Sequence, residues 1–437
     1  MAEIIKTRFT GKKILIACGC GNNGGDGFAA ANNLKNMDVT VMLLRPPESI
    51  RSPEALEFFK KVTCHVFEYP SSTDLEEYDV LVDCALGTGL KGPVKEPYLS
   101  YIKTANRFKG TIISADVPSG FGSGMIVRPD ITVAFHDIKD GMTAENSGEI
   151  IIANIGIPEE AYSRIGPGDM MRYPIPEDNS HKGCNGTLLV IGGGPYCGAP
   201  AMAAMAAMRV GSDLVRIATP SASAKSVASF SPVFVMDEMR GEVLGPGHVK
   251  KLIELSDMCN AVLIGPGLGI DELTVDAVNE FVKNCKRPIV IDADGLNALG
   301  KTFHSNGSPT ILTPHSREFL RLGGTIGNDP AAHVSIKATE TDSIILMKGP
   351  NDIVSNGKDI RINNTGNSAM TSAGTGDVLA GIVAGLLSKG MDAFDAACLG
   401  AYISGRAGDL AFEEKSYGLI AIDIIEMIPR VLKKELK

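Results

Sequence analysis

Short apolar runs alternate along the chain with stretches of helical periodicity. In the first part, the runs that predict strands cover residues 13–18, 39–44, 80–85 and 111–116. In the second part, they cover residues 187–191, 261–264, 288–292 and 344–347. Near-continuous apolar strands separated by helices are typical of parallel sheets that are covered on both faces. The pattern therefore predicts an α/β protein with two sheets.

A proline-rich segment separates the two patterns. Residues 166–179 carry Pro167, Pro174 and Pro176 and few apolar residues, which is typical of a connection between domains. A length of 437 residues also exceeds what one domain usually holds. We therefore expect a Rossmann-like three-layer sandwich over residues 1–170 and a second α/β domain over residues 171–437.

Composition and charge narrow the class of function. The net charge is −9 and no long basic run occurs, which argues against binding nucleic acid or a membrane surface. No apolar stretch approaches the ~20 residues that span a bilayer, and the N-terminus lacks an apolar signal core. Nine cysteines without zinc-site spacing predict reduced thiols. We expect a cytoplasmic homo-oligomer that acts on a small molecule.

A glycine-rich turn follows the first strand. Its glycines fit the dinucleotide fingerprint G-x-G-x-x-G at Gly19, Gly21 and Gly24. We expect a helix to begin near Phe28. The acidic residue that usually follows about 20 positions later is missing, because the second strand ends at Arg45. Asp26 would also repel a pyrophosphate, so residues 22–26 are interpreted as a polar cup for a neutral or cationic group. A purely structural turn is the alternative.

Oxygen-bearing side chains follow two further strands. Asp83 lies near the end of the third predicted strand, Asp116 is the last residue of the fourth, and Ser119 follows it. Together with Asn23 they would lie at the carboxyl edge of one parallel sheet, where such folds bind ligands. Oxygen ligands of this kind suit a hard cation, although each Asp alone could be a helix cap.

The most specific signal is a glycine-rich helix start in the second half. Residues 364–377 end in Gly374-Thr375-Gly376-Asp377, and an apolar helix follows. Backbone N–H groups and the helix dipole at such a start favour a phosphate or a developing oxyanion. A carboxylate beside an anion is costly unless it transfers a proton, so Asp377 is interpreted as catalytic, with a simple cap as the alternative. Lys348, at the end of a strand, is interpreted as a point charge on a nucleotide phosphate.

Taken together, these motifs resemble the bifunctional NAD(P)H-hydrate repair enzymes. In the second half the resemblance lies in His181-Lys182-Gly183, residues 192–194, Gly198-Ala199-Pro200, residues 264–269 and 292–299, Thr313-Pro314-His315 with Glu318-Phe319, and residues 364–381. In the first half it lies in residues 22–27, Asp83, Gly87-Thr88-Gly89-Leu90 and residues 116–120. The resemblance implies an epimerase domain followed by an ADP-dependent dehydratase domain of ribokinase-like fold.

The resemblance also implies site residues in each half. The catalytic groups would be Asp116 and Asp377. In the first half, the hydrated dinucleotide would contact Asn22, Asn23, Gly24, Gly25, Asp26, Gly87, Thr88, Gly89, Leu90, Lys91, Gly92, Pro93 and Asp116, and potassium would bind to Asn23, Asp83 and Ser119. In the second half, the hydrated nicotinamide would lie near Ala199, Gly267, His315 and Asp377. ADP, or ATP, with Mg²⁺ would lie near Lys348, Gly349, Asn367, Ser368, Ala369, Met370, Thr371, Ser372, Ala373, Gly374, Thr375 and Gly376.

The activity implied by the resemblance is the repair of hydrated NADH and NADPH (NADHX and NADPHX). The first domain would interconvert their two epimers, and the second would remove water from the S epimer with ADP bound. Three departures from the family pattern stand out: about ten residues precede the first strand, the loop 121–128 is short, and Ser316-Arg317 follow His315. A ribokinase-type small-molecule kinase and a non-catalytic nucleotide-binding regulator remain alternatives. An NADP-dependent dehydrogenase is disfavoured by Asp26.

Overall fold

The computed structural model divides into two compact units, Met1–Pro158 and Glu159–Lys437. It describes residues 1–69, 75–90, 92–158 and 160–436. The division lies at residue 158, earlier than the boundary expected at residue 170. The physical reason is that Ile165 and Met170 are buried in the core of the second unit. Asp169 also forms a 3.0 Å ion pair with Arg361 of that unit.

The first unit is built on a parallel sheet that has seven strands within its described residues, in the order β3-β2-β1-β4-β5-β6-β7. The strands are β1 Lys13–Cys18, β2 Asp38–Leu43, β3 His65–Glu68, β4 Val80–Cys84, β5 Thr111–Ala115, β6 Ile131–Phe135 and β7 Glu149–Ala153. The helices are α1 Ala2–Arg8, α2 Asn22–Asn33, α3 Pro53–Lys60, α4 Tyr98–Ala105 and α5 Ala144–Ser147, with a 3₁₀ turn at Pro47–Ser49.

Both faces of this sheet are buried, which makes the unit three-layered as predicted. Side chains alternate between the faces of a strand, and Ile14 and Ile16 pack into one apolar layer with Phe28 of α2. Leu15 packs into the opposite layer, with residues of α4. The continuous apolar run of β1 exists because neither of its faces meets water.

The glycine-rich turn differs from the sequence prediction. Helix α2 begins at Asn22, not near Phe28, so the predicted polar cup forms the first turns of a helix. The helix lies very close to the preceding turn: a Cβ atom on Gly24 would come within 1.9 Å of the Gly19 carbonyl oxygen. The glycines therefore serve close packing, and the polar residues among them project from a fixed helix start.

The second unit is built on a sheet with nine strands in the part that the structure describes, in the order β10-β9-β8-β11-β12-β13-β14-β15-β16. The strands are β8 Thr187–Ile191, β9 Leu214–Pro220, β10 Val235–Met239, β11 Ala261–Ile264, β12 Ile289–Ile291, β13 Thr310–Leu312, β14 Ile344–Met347, β15 Asp352–Ser355 and β16 Ile360–Asn363. The pairs β14–β15 and β15–β16 are antiparallel, whereas the expected sheet was wholly parallel. Only short turns join these three strands, which permits antiparallel pairing.

Helices cover both faces of the second sheet. They are α6 Glu160–Ser163, α7 Gly198–Arg209, α8 Ser221–Ser229, α9 Val249–Asp257, α10 Glu272–Asn284, α11 Ala293–Ala298, α12 Ser316–Arg321, α13 Pro330–Thr341, α14 Thr375–Ser388, α15 Ala393–Lys415 and α16 Ala421–Glu435. Val190 of β8 packs with α7 and α14, and Leu189 packs on the opposite face. None of the helices in the described residues is long and apolar enough to cross a membrane.

Candidate active sites

A cavity of about 950 Å³ opens in the first unit. It contains many of the residues that the sequence predicted for substrate: Asn22, Asn23, Asp26, Gly87, Thr88, Gly89, Leu90 and Asp116. It also contains residues that the sequence analysis did not assign: Cys20, Gly21, Arg45, Glu48, Ser49, Arg51, Ala85, Leu86 and Tyr98. Because β1, β4 and β5 are neighbours in the sheet, the segments that follow them meet at one edge.

Four of the predicted substrate residues lie outside the lining of this cavity. Gly24 and Gly25 are buried against Gly19 and Ala55, where they serve packing. Gly92 and Pro93 line a separate cavity of about 270 Å³ together with Leu90. Lys91 lies outside the described residues.

The predicted metal residues form one buried polar cluster. Asp83 is fully buried, and the Ser119 hydroxyl donates a 2.6 Å hydrogen bond to its Oδ1 atom. Tyr101, Ser114 and the Ser119 backbone N–H donate to the same carboxylate. Burial raises the pKa of Asp83, and the hydrogen bonds from Ser119 oppose that rise. The donors around Asp83 are neutral, and a cation next to this buried carboxylate would stabilise its negative charge.

Asn23 completes this cluster from the start of α2. Its Nδ2 atom donates a 3.0 Å hydrogen bond to the Leu86 carbonyl oxygen, and the Leu86 backbone N–H donates a 2.8 Å hydrogen bond to the Ser119 hydroxyl. The Oδ1 atom of Asn23 is buried and has no hydrogen-bond partner among the described residues. An orphaned amide oxygen beside a buried carboxylate and a hydroxyl fits a monovalent or other hard cation.

Two further carboxylates face the cavity. Asp116 has a backbone φ of +64°, which is uncommon for a residue other than glycine, and its carboxylate forms an ion pair with Lys139. The sequence analysis did not identify Lys139. Burial, and then the charge of Asp116, raise the pKa of Asp26 to about 6. The two side chains are therefore close enough to interact, and one of them can carry a proton near neutral pH.

In the second unit, the segments that follow successive strands form a connected edge. Hydrogen bonds of 2.8 Å join them as follows: Gly193 N to Pro266 O, Gly269 N to Asp294 Oδ2, Thr313 Oγ1 to Asp292 Oδ1, and Lys348 N to Pro314 O. The predicted motifs after β8, β11, β12, β13 and β14 are thus brought together at the carboxyl edge of the sheet.

Asp377 lies in the first turn of α14, close enough to Asp292 and Lys348 of this edge to interact with their charges. The helix is capped by Gly374, whose φ of +91° is a left-handed conformation that favours glycine. Burial raises the pKa of Asp377 to about 7, with a further rise from Asp292 and an opposing effect from Lys348. The carboxyl group can therefore exist in both protonation states near neutrality, which is what a general acid and base requires.

Lys348 is paired with protein carboxylates. Its ammonium lies 2.8 Å from Asp292 Oδ1 and 4.0 Å from Glu318 Oε2. Burial alone would lower the pKa of Lys348, but Asp292 and Glu318 raise it above its usual value. A Cβ atom on Gly376 would lie 3.5 Å from this ammonium, so Lys348 stands beside the start of α14. Asp292 and Glu318 are members of the site whose roles the sequence analysis did not assign.

His315 takes part in fixing α12. Its ring Nδ1 atom accepts hydrogen bonds from the backbone N–H groups of Arg317 and Glu318. The backbone N–H of His315 donates to Glu318 Oε2 at 2.8 Å. Its ring remains about half exposed, with a side-chain exposure of 48%. Ala199 lies near the start of α7 and Gly267 lies against the Tyr196 carbonyl.

The predicted nucleotide segment is held in place by α15. Asp409 accepts hydrogen bonds from the Gly366 N–H at 3.3 Å and from Asn367 Nδ2 at 3.1 Å. Residues Ser368–Thr371 form a 3₁₀ turn that Asn367 caps. The Ser372 hydroxyl is buried and has no hydrogen-bond partner within the described residues. Gly349 donates its N–H to Asp352 at 3.1 Å.

Comparison with known proteins decides the family. The protein-family model described as NAD(P)H-hydrate dehydratase matches residues 188–430 of this chain. The family model described as YjeF-related protein N-terminus matches residues 1–141. The bifunctional NAD(P)H-hydrate repair enzyme Nnr of Methanothermobacter thermautotrophicus is 38% identical over 464 residues, covering 99% of this chain and 89% of the relative. The chain belongs to the family of bifunctional NAD(P)H-hydrate repair enzymes.

Solved structures of related proteins match the second unit of this NAD(P)H-hydrate repair enzyme family member. An ADP/ATP-dependent NAD(P)H-hydrate dehydratase from Bacillus subtilis, co-crystallised with ATP and Mg²⁺, is 29% identical with a TM-score of 0.56. The match covers 64% of this chain and 100% of that one. A ribokinase-like superfamily protein from Enterococcus faecalis shares the fold at 22% identity and a TM-score of 0.58, over 64% of this chain and 99% of that one. The predicted ribokinase-like fold is confirmed.

Proposed function

We propose that this chain repairs hydrated NADH and NADPH in two steps. The first unit interconverts the two epimers, and the second removes water from the S epimer while ADP or ATP is bound. The observation that carries the proposal is Asp377, a partly buried carboxyl with a pKa of about 7 at a glycine-capped helix start. It lies beside the cluster of Lys348, Asp292 and Glu318.

Dehydration needs a proton on the leaving hydroxyl and the loss of a proton from the ring. Protonated Asp377 donates to the hydroxyl as its bond to the ring breaks, so that water leaves. The carboxylate formed in that step then accepts the ring proton as the carbon–carbon double bond forms. A pKa near ambient pH allows the same group to do both.

The nucleotide is proposed to bind at the start of α14. The amides of Gly374, Thr375 and Gly376 favour a phosphate there, and Lys348 adds a positive charge at the same place. The orphaned hydroxyl of Ser372 supports this assignment, because a phosphate oxygen would satisfy it. Mg²⁺ bound to the nucleotide would neutralise phosphate charge close to the acidic residues. Asn367 and Gly349 are proposed to contact the nucleotide from the two flanking segments.

His315 and Gly267 are proposed to hold the hydrated nicotinamide opposite Asp377, with Ala199 completing this end of the site. The ring of His315 is about half exposed, which fits such a contact, while its Nδ1 atom accepts hydrogen bonds at the start of α12 and its Nε2 atom lies 3.5 Å from Glu318 Oε1. The other members of the nucleotide segment, Ala369, Met370, Thr371 and Ala373, would shape the wall of the site.

Epimer exchange is proposed to occur in the cavity of the first unit. Asp116 and Asp26 would act as an acid and base pair, since one carboxyl with a pKa of about 6 lies beside a second carboxylate. The protonated carboxyl would donate to the substrate hydroxyl as its bond to the ring carbon breaks and water leaves. The carboxylate would then accept a proton from the water that adds to the opposite face of the same carbon, which gives the other epimer. Potassium is proposed to bind to Asn23, Asp83 and Ser119, and the orphaned Asn23 oxygen and the buried Asp83 fit that ion. The bound ion would supply a fixed positive charge for substrate oxygens.

The dehydratase proposal is tested by incubating the full chain with the S epimer of hydrated NADH, with and without ADP. Absorbance of the reduced nicotinamide should recover only with the nucleotide. Absence of recovery with ADP, together with transfer of phosphate from ATP to alcohols, would show a ribokinase-type kinase instead.

A further inference from the structure

The cavity of the first unit is lined by charges of both signs, which come from segments after different strands. Asp26 and Asp116 line one part of it, and Arg45 and Arg51 line another. Arg45 follows β2, and Asp116 follows β5, which is three strand positions away in the order β2-β1-β4-β5. At about 4.8 Å between neighbouring strands, the backbone positions of these residues are about 14 Å apart.

Arg45 and Arg51 form what we call the arginine wall of the cavity, and backbone hydrogen bonds join this wall to the glycine-rich turn after β1. The Leu44 N–H donates to the Cys18 carbonyl at 3.0 Å, and the Arg51 N–H donates to the Cys20 carbonyl at 3.1 Å. Both arginines therefore begin from backbone positions that the turn fixes. Arg45 also donates to the Glu96 carbonyl at 3.1 Å, and its guanidinium lies 5.8 Å from the centre of the Tyr98 ring.

The start of α2 is a poor place for a phosphate. A dinucleotide usually places its pyrophosphate at such a helix start, but here Asp26 projects from the second turn into the same cavity. The arginine wall carries two positive charges against the single carboxylate of Glu48, so its net charge favours an anion.

We propose that Arg45 and Arg51 bind a phosphate of the hydrated dinucleotide and thereby direct its nicotinamide end towards Asp26 and Asp116. This inference rests on the proposed epimerase function. The phosphate is either the ribose 2′-phosphate of hydrated NADPH or the pyrophosphate that both dinucleotides carry. An arginine at the end of the second strand is the residue type that accommodates a 2′-phosphate in related folds.

Arg51→Gln tests the proposal in the full chain, because the Arg51 side chain is exposed and its replacement leaves the Arg45 contacts in place. Epimer exchange of hydrated NADPH should show a KM raised about tenfold, as expected for the loss of one charge-assisted hydrogen bond, with kcat changed less than twofold. Arg51→Lys should recover part of the loss, since it keeps the charge but not the planar geometry. Arg107→Gln, an exposed arginine outside the cavity lining, is the matched control.

The two sources of phosphate give different outcomes. A larger KM increase for hydrated NADPH than for hydrated NADH identifies the 2′-phosphate, and an equal increase for both identifies the pyrophosphate. KM values that change no more than in Arg107→Gln, for both substrates, overturn the proposal. Equilibrium binding of hydrated NADPH to the same proteins gives the comparison without turnover. A chain that exchanges no epimers would thus contradict the proposed function, while the binding measurement still decides the role of the arginines.

Discussion

Asp377→Asn is expected to abolish dehydration and, at the same time, to stabilise the protein above neutral pH. The substitution keeps the size of the side chain, and asparagine retains hydrogen-bonding capacity at a helix start. What disappears is proton transfer, which typically contributes about 10²–10⁴-fold in rate. Affinity for ADP should be unchanged or higher, because a negative charge next to the phosphates is removed.

The stabilisation follows from the pKa of Asp377. The unfolded chain loses this proton near pH 3.8, whereas the folded chain keeps it until about pH 7. The group therefore favours folding below pH 3.8, and that contribution is lost as pH rises from 3.8 through about 7. At about 1.4 kcal/mol per tenfold change in proton affinity, the upper limit is about 4 kcal/mol. Partial exposure of Asp377 reduces the expected value to about 1–3 kcal/mol at pH 8.

Calorimetry without nucleotide, at pH 5 and pH 8, measures this effect. The variant should unfold at a temperature several degrees above the parent at pH 8, with a smaller difference at pH 5. Asp276→Asn, at an exposed position on α10, makes the same chemical change and should have little effect. The reasoning is refuted by an Asp377→Asn variant that dehydrates hydrated NADH within a few-fold of the parent, or that loses its ADP-dependent stabilisation.

Three further predictions concern other parts of the molecule. Replacing potassium by tetramethylammonium should slow epimer exchange without affecting dehydration, and equal exchange rates in both salts would exclude the cation site. A fragment that begins at residue 160 should melt cooperatively and bind ADP, whereas one that begins at residue 180 should be less stable by about 3 kcal/mol or more, since it lacks buried Ile165 and Met170. Equal melting of the two fragments would contradict that assignment. Asp409→Ala should raise the Kd for ADP about tenfold by releasing the Gly366 and Asn367 contacts, and isothermal titration showing an unchanged Kd would count against it.

Several interior strands were predictable because burial of both faces requires a continuous run of apolar residues. The runs at β1, β4, β8 and β11 are apolar on both faces, and the observed bounds agree with the predicted ones within one residue. The edge strands β3, β7, β10 and β16 were not predicted, and neither were the interior strands β6, β9 and β15. The edge strands β10 and β16 carry polar residues, such as Asp237 and Arg361. Edge strands lack the continuous apolar pattern on which the prediction depended.

The sites were predictable where local geometry carries the chemistry. The glycine-capped helix start with Asp377 forms within a few residues, so its motif is visible in the sequence. Ion pairs formed by the fold are not visible in this way. Lys139 lies 23 residues from Asp116, and Lys348 lies 56 residues from Asp292. The same limit applies to the start of α2, which depends on close packing against Gly19.

The most direct test of one chain with two activities is the recovery of reduced nicotinamide from an equal mixture of both epimers of hydrated NADH. The full chain with ADP and potassium should restore the absorbance completely, in a fast phase for the S epimer and a slower phase limited by epimer exchange. Recovery that stops at half, with the remaining epimer converting no faster than in buffer alone, would contradict the account.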